Sequence, residues 1–327
     1  MVLTTKVSLP EISIAINHTN SVLFIGSCFS TVFGNKLKDH KFSVLSNPFG
    51  TVYNPVSIAQ MIHNIVDNFC PLEEEMNVYN DIHFHYNYHS DLSALTQKEL
   101  LANIQTKTNL AHHFLHKTNV LFITLGTSFV YVRSDNNHIV ANCHKVPTAF
   151  FNKRLLSSEE IYASLSSLIQ SLQSRFPDIN VVFTVSPVRH VRDGLIENNQ
   201  SKARLIDAVH NAVDNSKKVF YFPSYEILMD ELRDYRYFEK DLIHPNELAH
   251  EVIWDYFSQV FFNSPTKLLN AKIDKINKAK NHRPLFENHP DYISFCQKQI
   301  EEIKALQIEN RGLDFSKEYS YFLSKVS

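Results

Sequence analysis

Five short apolar segments alternate with amphipathic stretches along the first two thirds of the chain. They are rich in β-branched and aromatic residues, which is typical of strands buried on both faces of a parallel sheet. The segments cover residues 21–26, 42–45, 120–126, 180–185 and 218–222. Parallel strands need right-handed crossovers between them, which are usually helices. The alternation therefore predicts a three-layer α/β/α sandwich around a mainly parallel five-stranded sheet.

Helix start signals stand between the apolar segments. Thr96 with Glu99 and Ser157 with Glu160 match the capping box, in which side chains satisfy free N–H groups of the first turn. Residues 81–117 are expected to form an inserted hairpin and the Thr96 helix. Beyond residue 262 the strand signal stops, and residues 267–280 and 290–308 read as helices.

These patterns predict two parts of the chain. Residues 1–262 are expected to form one α/β domain that carries the insert at about 81–117. Residues 263–327 are expected to be a helical appendage packed on that domain, because about 60 residues bury little surface by themselves.

The composition excludes several classes of function. Lys and Arg number 32 against 34 Asp and Glu, and no basic stripe of the kind that binds nucleic acid is visible. No apolar stretch reaches the ~18 residues of a membrane span, and residues 1–16 do not resemble a signal peptide. The four cysteines are scattered, which favours reduced thiols over disulfides. We expect a cytoplasmic protein without nucleic-acid or membrane partners, while its oligomeric state stays open.

The first candidate site residue is Ser27, which follows the first strand and precedes a helical pattern. A serine at such a junction has its hydroxyl at the carboxyl edge of the sheet, where open α/β folds bind ligands. Backbone N–H groups at the helix start can hold an oxyanion there. The alternative is that Gly26 makes the turn and Ser27 caps the helix. Cys28 is a less suitable nucleophile, since the next residue in the turn should point away from the groove.

The second candidate is the run Asp241-Leu242-Ile243-His244-Pro245-Asn246 before a helix. An aspartate three residues before a histidine can hold the imidazole Nδ1–H and leave Nε2 free to take a serine proton. The alternative is a capping turn in which Pro245 suits the first helical turn and His244 is a surface residue.

Together the two motifs resemble those of the SGNH/GDSL hydrolases, and their particular residues resemble the GSCFA branch of that superfamily. Further matches follow in family order over residues 22–257. The matching stretches are IGSCFS (25–30), NPFGTVYNP (47–55), HSDLSALT (89–96), TLGTSFVY (124–131), CHKVP (143–147), TVSPVRHVRDG (184–194) and DLIHPN (241–246).

The resemblance implies an SGNH hydrolase-like, flavodoxin-like fold and a role for each matching position. Ser27 would be the nucleophile, His244 the general base, and Asp241 the group that orients the base. The N–H groups of Gly50 and Ser27 would donate to the oxyanion. No metal and no cofactor is implied.

The third oxyanion donor of the superfamily is an asparagine in a Gly-x-Asn-Asp motif. Here the corresponding run begins at Gly126, and Ser128 stands at the asparagine position. Loss of one such donor costs on the order of 100-fold to 1000-fold in rate. The serine hydroxyl is one replacement, and Asn47, Asn54 and His89 are others.

Two more groups of residues each have two possible interpretations. In DIHFHYNYH (81–89), His83, His85 and His89 share a strand face, which is one pattern of a metal site. A metal site needs three or more converging ligands of defined spacing, and with 17 histidines in the chain some clustering arises by chance, so we expect no metal here. In the loop after the fourth strand, Arg189 and His190 either bind an anionic or hydroxyl-rich ligand or are paired internally.

The favoured function is a serine esterase that removes a short acyl group, such as acetyl, from a carbohydrate or other small alcohol. The alternative is an SGNH-like binding module for a glycan or nucleotide-like ligand, in which catalysis is weak or lost. The presence of Ser128 at the position where the superfamily has an asparagine favours that alternative.

Overall fold

A parallel sheet of five strands runs through the centre of the protein, whose computed structural model describes residues 4–326. Its order is β10-β9-β5-β1-β2, and all neighbouring pairs are parallel. Each of these strands lies within two residues of a predicted segment. In chain order, the strands described are β1 (Ser21–Gly26), β2 (Ser43–Ser46), β3 (Asn77–Tyr79), β4 (Ile82–Phe84), β5 (Thr118–Leu125), β6 (Phe129–Arg133), β7 (Ile139–Val140), β8 (Phe151–Leu155), β9 (Asn180–Val185) and β10 (Val219–Tyr221).

Helices connect the strands and follow them. Asn54, Thr96 and Ser157 each accept a hydrogen bond at the start of a helix, and Ser157 forms the predicted capping box with Glu160. The helices described are α1 (Cys28–Asp39), α2 (Pro55–Val66), α3 (Gln97–Leu115), α4 (Ser158–Arg175), α5 (Leu195–Asp214), α6 (Ser224–Glu226), α7 (Glu247–Phe261), α8 (Ser264–Asn281), α9 (Pro290–Glu309) and α10 (Ser316–Leu323).

The two faces of the sheet have separate hydrophobic cores. Successive side chains of a strand point to opposite faces. In β1, Leu23 and Ile25 pack in the core that α2, α3, α4 and α5 cover, whereas Val22 and Phe24 pack in the core that α1 and α7 cover. The predicted three-layer α/β/α sandwich is confirmed.

The strand order reverses between β1 and β5. From β1 the chain continues to β2 on one side, and then crosses to β5, β9 and β10 on the other. Ligands of open α/β sheets bind outside the carboxyl ends of the strands at such a point. Ser27 follows β1 and Gly126 follows β5, so both lie there.

The structure differs from the sequence-based prediction in two places. The insert begins earlier than expected, because its hairpin pairs β3 with β4 from Asn77 onward. A three-stranded antiparallel sheet, β7-β6-β8, was not predicted. Its edge strand β8 is mostly exposed, so it lacks the apolar run by which buried strands are recognised.

Helices α8, α9 and α10 follow the α/β region and share a hydrophobic cluster of their own. The first two match the predicted helices, and α10 was not predicted. Polar contacts join them to the end of α1: His40 Nε2 lies 2.9 Å from Asp274, and Lys41 Nζ donates to Glu318 at 2.7 Å. Within residues 4–326, no helix combines the length and the apolar character that crossing a membrane requires.

Candidate active site

Ser27 lies at the junction of β1 and α1, where the backbone approaches β5 closely. Gly26 has a φ of +135°, and a Cβ on it would lie 2.1 Å from the carbonyl oxygen of Thr124. Only glycine allows this approach. It lets the Ser27 N–H donate to Thr124 O at 3.1 Å. The closeness of β1 and β5 therefore sets the position of Ser27.

The Ser27 side chain does not cap α1, although the residue occupies the N-cap position. Its Oγ is buried and has no hydrogen-bond partner among residues 4–326. A buried hydroxyl without a partner is costly to the fold. The capping alternative therefore does not account for this serine.

Asp241 and His244 form a pair on an exposed turn. Asp241 Oδ2 lies 2.6 Å from His244 Nδ1, and Oδ1 accepts the backbone N–H groups of Ile243 and His244 at 2.9 and 3.0 Å. The His244 N–H, the imidazole and the Ile243 N–H together lower the pKa of Asp241 to about 2. Because Nδ1 donates to the carboxylate, Nε2 of a neutral His244 is left as a proton acceptor.

Arg189 braces this turn. Its Nη2 donates to Leu242 O at 2.6 Å, and its guanidinium lies 4.6 Å from the ring centroid of Phe238 and 5.3 Å from that of Tyr235. Leu242 has a φ of +60°, an uncommon value for a leucine. The two alternatives for Arg189 are ligand binding and internal pairing, and in the structure its guanidinium is paired with groups of the protein itself.

His190 follows in the same loop. Its N–H donates to Asn198 Oδ1 at 2.9 Å, and its ring meets the Tyr53 ring edge-on. Burial, with the charge of Lys202 as the second cause, lowers the pKa of His190 to about 4. His190 is therefore neutral at pH 7.

A cavity of about 790 Å³ lies at the carboxyl edge of the sheet, and both Ser27 and His244 line it. The fold thus brings together two motifs separated by more than 200 residues of sequence. Since Ser27 Oγ has no hydrogen-bond partner among the described residues, no hydrogen bond joins it to His244. In this conformation Asp241 and His244 form a hydrogen-bonded pair, and Ser27 is not bonded to that pair.

The expected oxyanion donors are placed differently from the prediction. The Ser27 N–H is occupied by Thr124 O, and the Gly50 N–H donates to Asn47 O at 2.9 Å. Gly50 lies against His89 instead, where a Cβ would be 2.3 Å from the His89 Cβ. Neither N–H is free for a ligand here, because each already has an acceptor.

Gly126 and Ser128 also lie outside the cavity wall. The Gly126 N–H donates to Tyr53 O at 2.8 Å. Ser128 is completely buried, its Oγ donates to Ser201 O at 2.5 Å, and its N–H donates to Ser201 Oγ. Ser128 therefore does not take the place of an oxyanion-binding asparagine, because its side chain is hydrogen-bonded to Ser201 of α5 and does not line the cavity.

The replacement donors have other roles. Asn47 Oδ1 accepts the Gly26 N–H at 2.9 Å, which holds the end of β1. His89 Nδ1 lies 3.1 Å from Asp91 and does not line the cavity. Asn54 caps α2 through its Oδ1, and it does line the cavity. Of these three, Asn54 is the one at the site.

Cys28, the neighbour of Ser27, also lines the cavity. Burial raises the pKa of its thiol. The thiol therefore stays protonated at pH 7 and is a poor nucleophile.

Sequence reasoning missed Lys202, which lies in α5 beneath the cavity floor. It is 1% exposed, and its Nζ donates to Gly126 O and Ser186 O, each at 2.6 Å. Burial lowers its pKa to about 7. A signal was present, because Asn198, Ser201 and Lys202 share the helical spacing of the apolar Leu205 and form a polar stretch on a buried face.

The histidine cluster holds no candidate metal centre. His85 is buried, and its Nδ1 accepts the Asn87 N–H. Among residues 4–326, no three His, Cys, Asp or Glu side chains converge as metal ligands.

Comparison with known families matches the GSCFA family over residues 21–257. The chain belongs to the GSCFA family. A second family description, GSCFA domain protein, C-terminal domain, matches residues 273–327 of this family member. The resemblance inferred from the motifs is thereby confirmed. No curated protein shows a significant similarity to this GSCFA chain.

Solved structures that resemble this GSCFA chain include three esterases. A family 3 carbohydrate esterase of Clostridium thermocellum is 12% identical over 77% of this chain and 98% of its own, with a TM-score of 0.35. An acetyl xylan esterase of the rumen bacterium Butyrivibrio proteoclasticus is 10% identical over 74% and 64%, with a TM-score of 0.36. A family two carbohydrate esterase of Clostridium thermocellum, in complex with cellohexaose, is 10% identical over 76% and 65%, with a TM-score of 0.37. At these TM-scores the similarity carries no argument about activity.

Proposed function

We propose that this protein is a serine esterase of the SGNH type, with Ser27 as nucleophile, His244 as general base and Asp241 as the residue that orients the base. One observation carries the proposal. A buried serine hydroxyl without a partner lies on the wall of the same cavity as a histidine whose Nδ1 is held by a carboxylate.

The reaction begins when Ser27 Oγ bonds to the ester carbonyl carbon and its proton moves to His244 Nε2. The carbonyl π electrons move to the oxygen, and return when the bond to the alcohol breaks. His244 then gives its proton to the departing alkoxide, and the acyl group stays on Ser27. Water repeats the sequence and releases the acid.

Proton transfer requires His244 Nε2 to come within about 3.2 Å of Ser27 Oγ. The imidazole is on an exposed turn, and half of its side-chain surface is open to solvent. A shift of this turn on substrate binding closes the triad, as such contacts in other enzymes tighten only in the substrate complex.

The oxyanion is stabilised by the start of α1 and by Asn54, the one predicted replacement donor that lines the cavity. The first N–H groups of a helix lack intrahelical acceptors, and α1 begins with Cys28 and Phe29 directly after the nucleophile. Asn54 faces the same cavity. The positive end of the α1 dipole lies at Ser27 and favours the negative charge that develops there.

The substrate is an ester of a short acyl group with a carbohydrate or other small alcohol. This part of the proposal rests on the family resemblance. The cavity volume of about 790 Å³ suits a small-molecule ligand.

Labelling by a fluorophosphonate probe tests the nucleophile. We expect wild type to be labelled, Ser27→Ala to lose the label, and the neighbouring Cys28→Ala to keep it. His244→Ala should lower both the labelling rate and aryl acetate hydrolysis by about 1000-fold. If Cys28→Ala loses the label and Ser27→Ala retains it, the nucleophile is misassigned.

A binding module is the second candidate, and the open Ser27–His244 contact favours it. In that case folded wild type hydrolyses no aryl acetate and does not react with the probe. Titration calorimetry with neutral and charged oligosaccharides would then show binding that Ser27→Ala leaves intact.

A further inference from the structure

The mouth of the cavity is basic, although the whole chain has a formal charge of −2. Among the cavity-lining residues that the structure describes, four cations stand against the single carboxylate of Asp193. Asp193 is paired with Lys153. The four cations are Lys145, Lys153, Arg189 and Arg192.

Two of these cations have no partner. Arg189 donates to Leu242 O, and Lys153 pairs with Asp193. In contrast, Lys145 and Arg192 are exposed and form no hydrogen bond, ion pair or ring contact with any residue from 4 to 326. Unpaired guanidinium and ammonium groups beside a cavity attract anions, and Arg binds carboxylate and phosphate through two parallel hydrogen bonds.

The buried groups around the floor do not neutralise this charge. His190 is neutral at pH 7, and Lys202 donates to two backbone carbonyl groups and pairs with no carboxylate of residues 4–326. Asp241, which is not part of the wall, is already paired with His244. The charged side chains that line the cavity therefore keep a positive sum.

The two unpaired cations and the proposed nucleophile lie at different depths in the cavity. Ser27 is 1% exposed and lies on the floor, whereas Lys145 and Arg192 are exposed and lie at the mouth. A short acyl group on Ser27 would leave the alcohol part of the ester directed outward. Tyr53, Phe129 and Tyr131 line the cavity with these cations and offer ring surfaces to that part of the ligand.

We propose that the cavity selects esters whose alcohol part carries a carboxylate or phosphate, which Lys145 and Arg192 bind at the mouth. The acylated alcohol is thus an anionic one, such as a sugar bearing an acidic group. This specificity rests on the proposed esterase function.

A matched set of aryl acetates tests the charge preference. 4-Acetoxybenzoate and 4-acetoxyphenyl phosphate are anionic, and 4-acetoxybenzamide is their neutral counterpart. We expect kcat/KM to be on the order of 10-fold higher for an anionic member than for the amide at low salt, and the ratio to fall in 0.5 M NaCl. Comparison of the benzoate with the phosphate distinguishes the two acidic groups.

The variant Lys145→Gln/Arg192→Gln should bring the ratio of anionic to neutral kcat/KM close to 1. Arg311→Gln is the matched control, because Arg311 is an exposed arginine remote from the cavity, and it should leave the ratio unchanged. An equal kcat/KM for all three acetates, or a ratio that the double variant does not alter, overturns the charge preference while the esterase function stands.

Hydrolysis of none of the acetates would instead contradict the proposed function. Binding of the product alcohols, 4-hydroxybenzoate and 4-hydroxybenzamide, then decides the charge preference separately. Tighter binding of the benzoate by wild type than by the double variant supports it, and equal binding of both alcohols overturns it.

Discussion

The floor of the cavity and the turn that carries His244 are built in opposite ways. On the floor, hydrogen bonds to other elements hold the backbone at Ser27: its own N–H donates to Thr124 O, and the Gly26 N–H donates to the side-chain Oδ1 of Asn47. Beneath it, Lys202 joins the carbonyl groups that follow β5 and β9. Movement of Ser27 would break several buried contacts together.

The His244 turn is exposed and is held mainly by contacts within its own segment, such as the hydrogen bond from the Glu239 N–H to His244 O at 2.7 Å. Asp241 holds the imidazole and two backbone N–H groups, and Arg189 holds Leu242 O. Elements with few buried contacts open at low free energy. If the proposed function holds, the Ser27–His244 contact closes by movement of the turn toward a fixed floor. Substitutions in the floor should thus lower stability, and substitutions in the turn should lower turnover.

The largest expected effect is on the turn. Asp241→Asn keeps an oxygen for the backbone N–H groups but cannot accept the Nδ1–H of His244, so the imidazole loses its orientation and tautomer. We expect kcat for an aryl acetate to fall by about 1000-fold or more with an unchanged urea midpoint. Asp178→Asn, at a fully exposed carboxylate, is the control. A fall in stability with retained kcat would reverse the comparison.

The next effect is on the floor. Gly26→Ala places a Cβ 2.1 Å from Thr124 O at a φ of +135°, so β1 and β5 must separate. We expect a loss of about 3 kcal/mol or more in the free energy of unfolding, measured by urea denaturation. Gly312→Ala is the matched control, because no atom lies within 4 Å of a Cβ there. If both variants unfold at the same urea concentration, the floor is not rigid.

Arg189→Gln should have a smaller effect, again on turnover. It removes the hydrogen bond to Leu242 O and the stacking on Phe238, so the turn is less well positioned. We expect kcat for 4-acetoxybenzamide to fall about 10-fold with little change in KM. Arg189→Lys should not restore it, because an ammonium lacks the planar fork. Rescue by lysine would show that charge alone is needed.

The last expected effect concerns pH and the floor. The pKa of Lys202 is lowered to about 7 in the folded protein, against 10.5 for an ordinary lysine. Between these values the unfolded chain binds more protons, so stability rises with pH, by at most about 1.4 kcal/mol per pH unit from this group. Urea denaturation at pH 7 and pH 9 should show this rise in wild type and a smaller one in Lys202→Met. Equal pH dependence would mean that the buried amine keeps an ordinary pKa.

Local sequence determined much of the fold and the paired residues of the site. The central strands are continuous apolar runs, so β1 and β9 coincide with their predicted segments. Asp241 and His244 are three residues apart on one turn, and their contact needs no distant partner. The predicted roles of Ser27, His244 and Asp241 remain part of the proposal.

Only the tertiary structure decided which polar groups face the ligand. A backbone N–H is free or occupied according to the chain that packs beside it, and that chain is distant in sequence. The carbonyl oxygen of Thr124 accepts the Ser27 N–H, and the carbonyl oxygen of Ser201 accepts the buried hydroxyl of Ser128. The burial of Lys202 likewise depends on a contact with Gly126, which lies in another part of the chain. The place of Arg192 beside the cavity also depends on the other elements that form the cavity. Sequence motifs therefore indicate which residues can react, whereas packing at the strand ends determines which donors and charges a substrate meets.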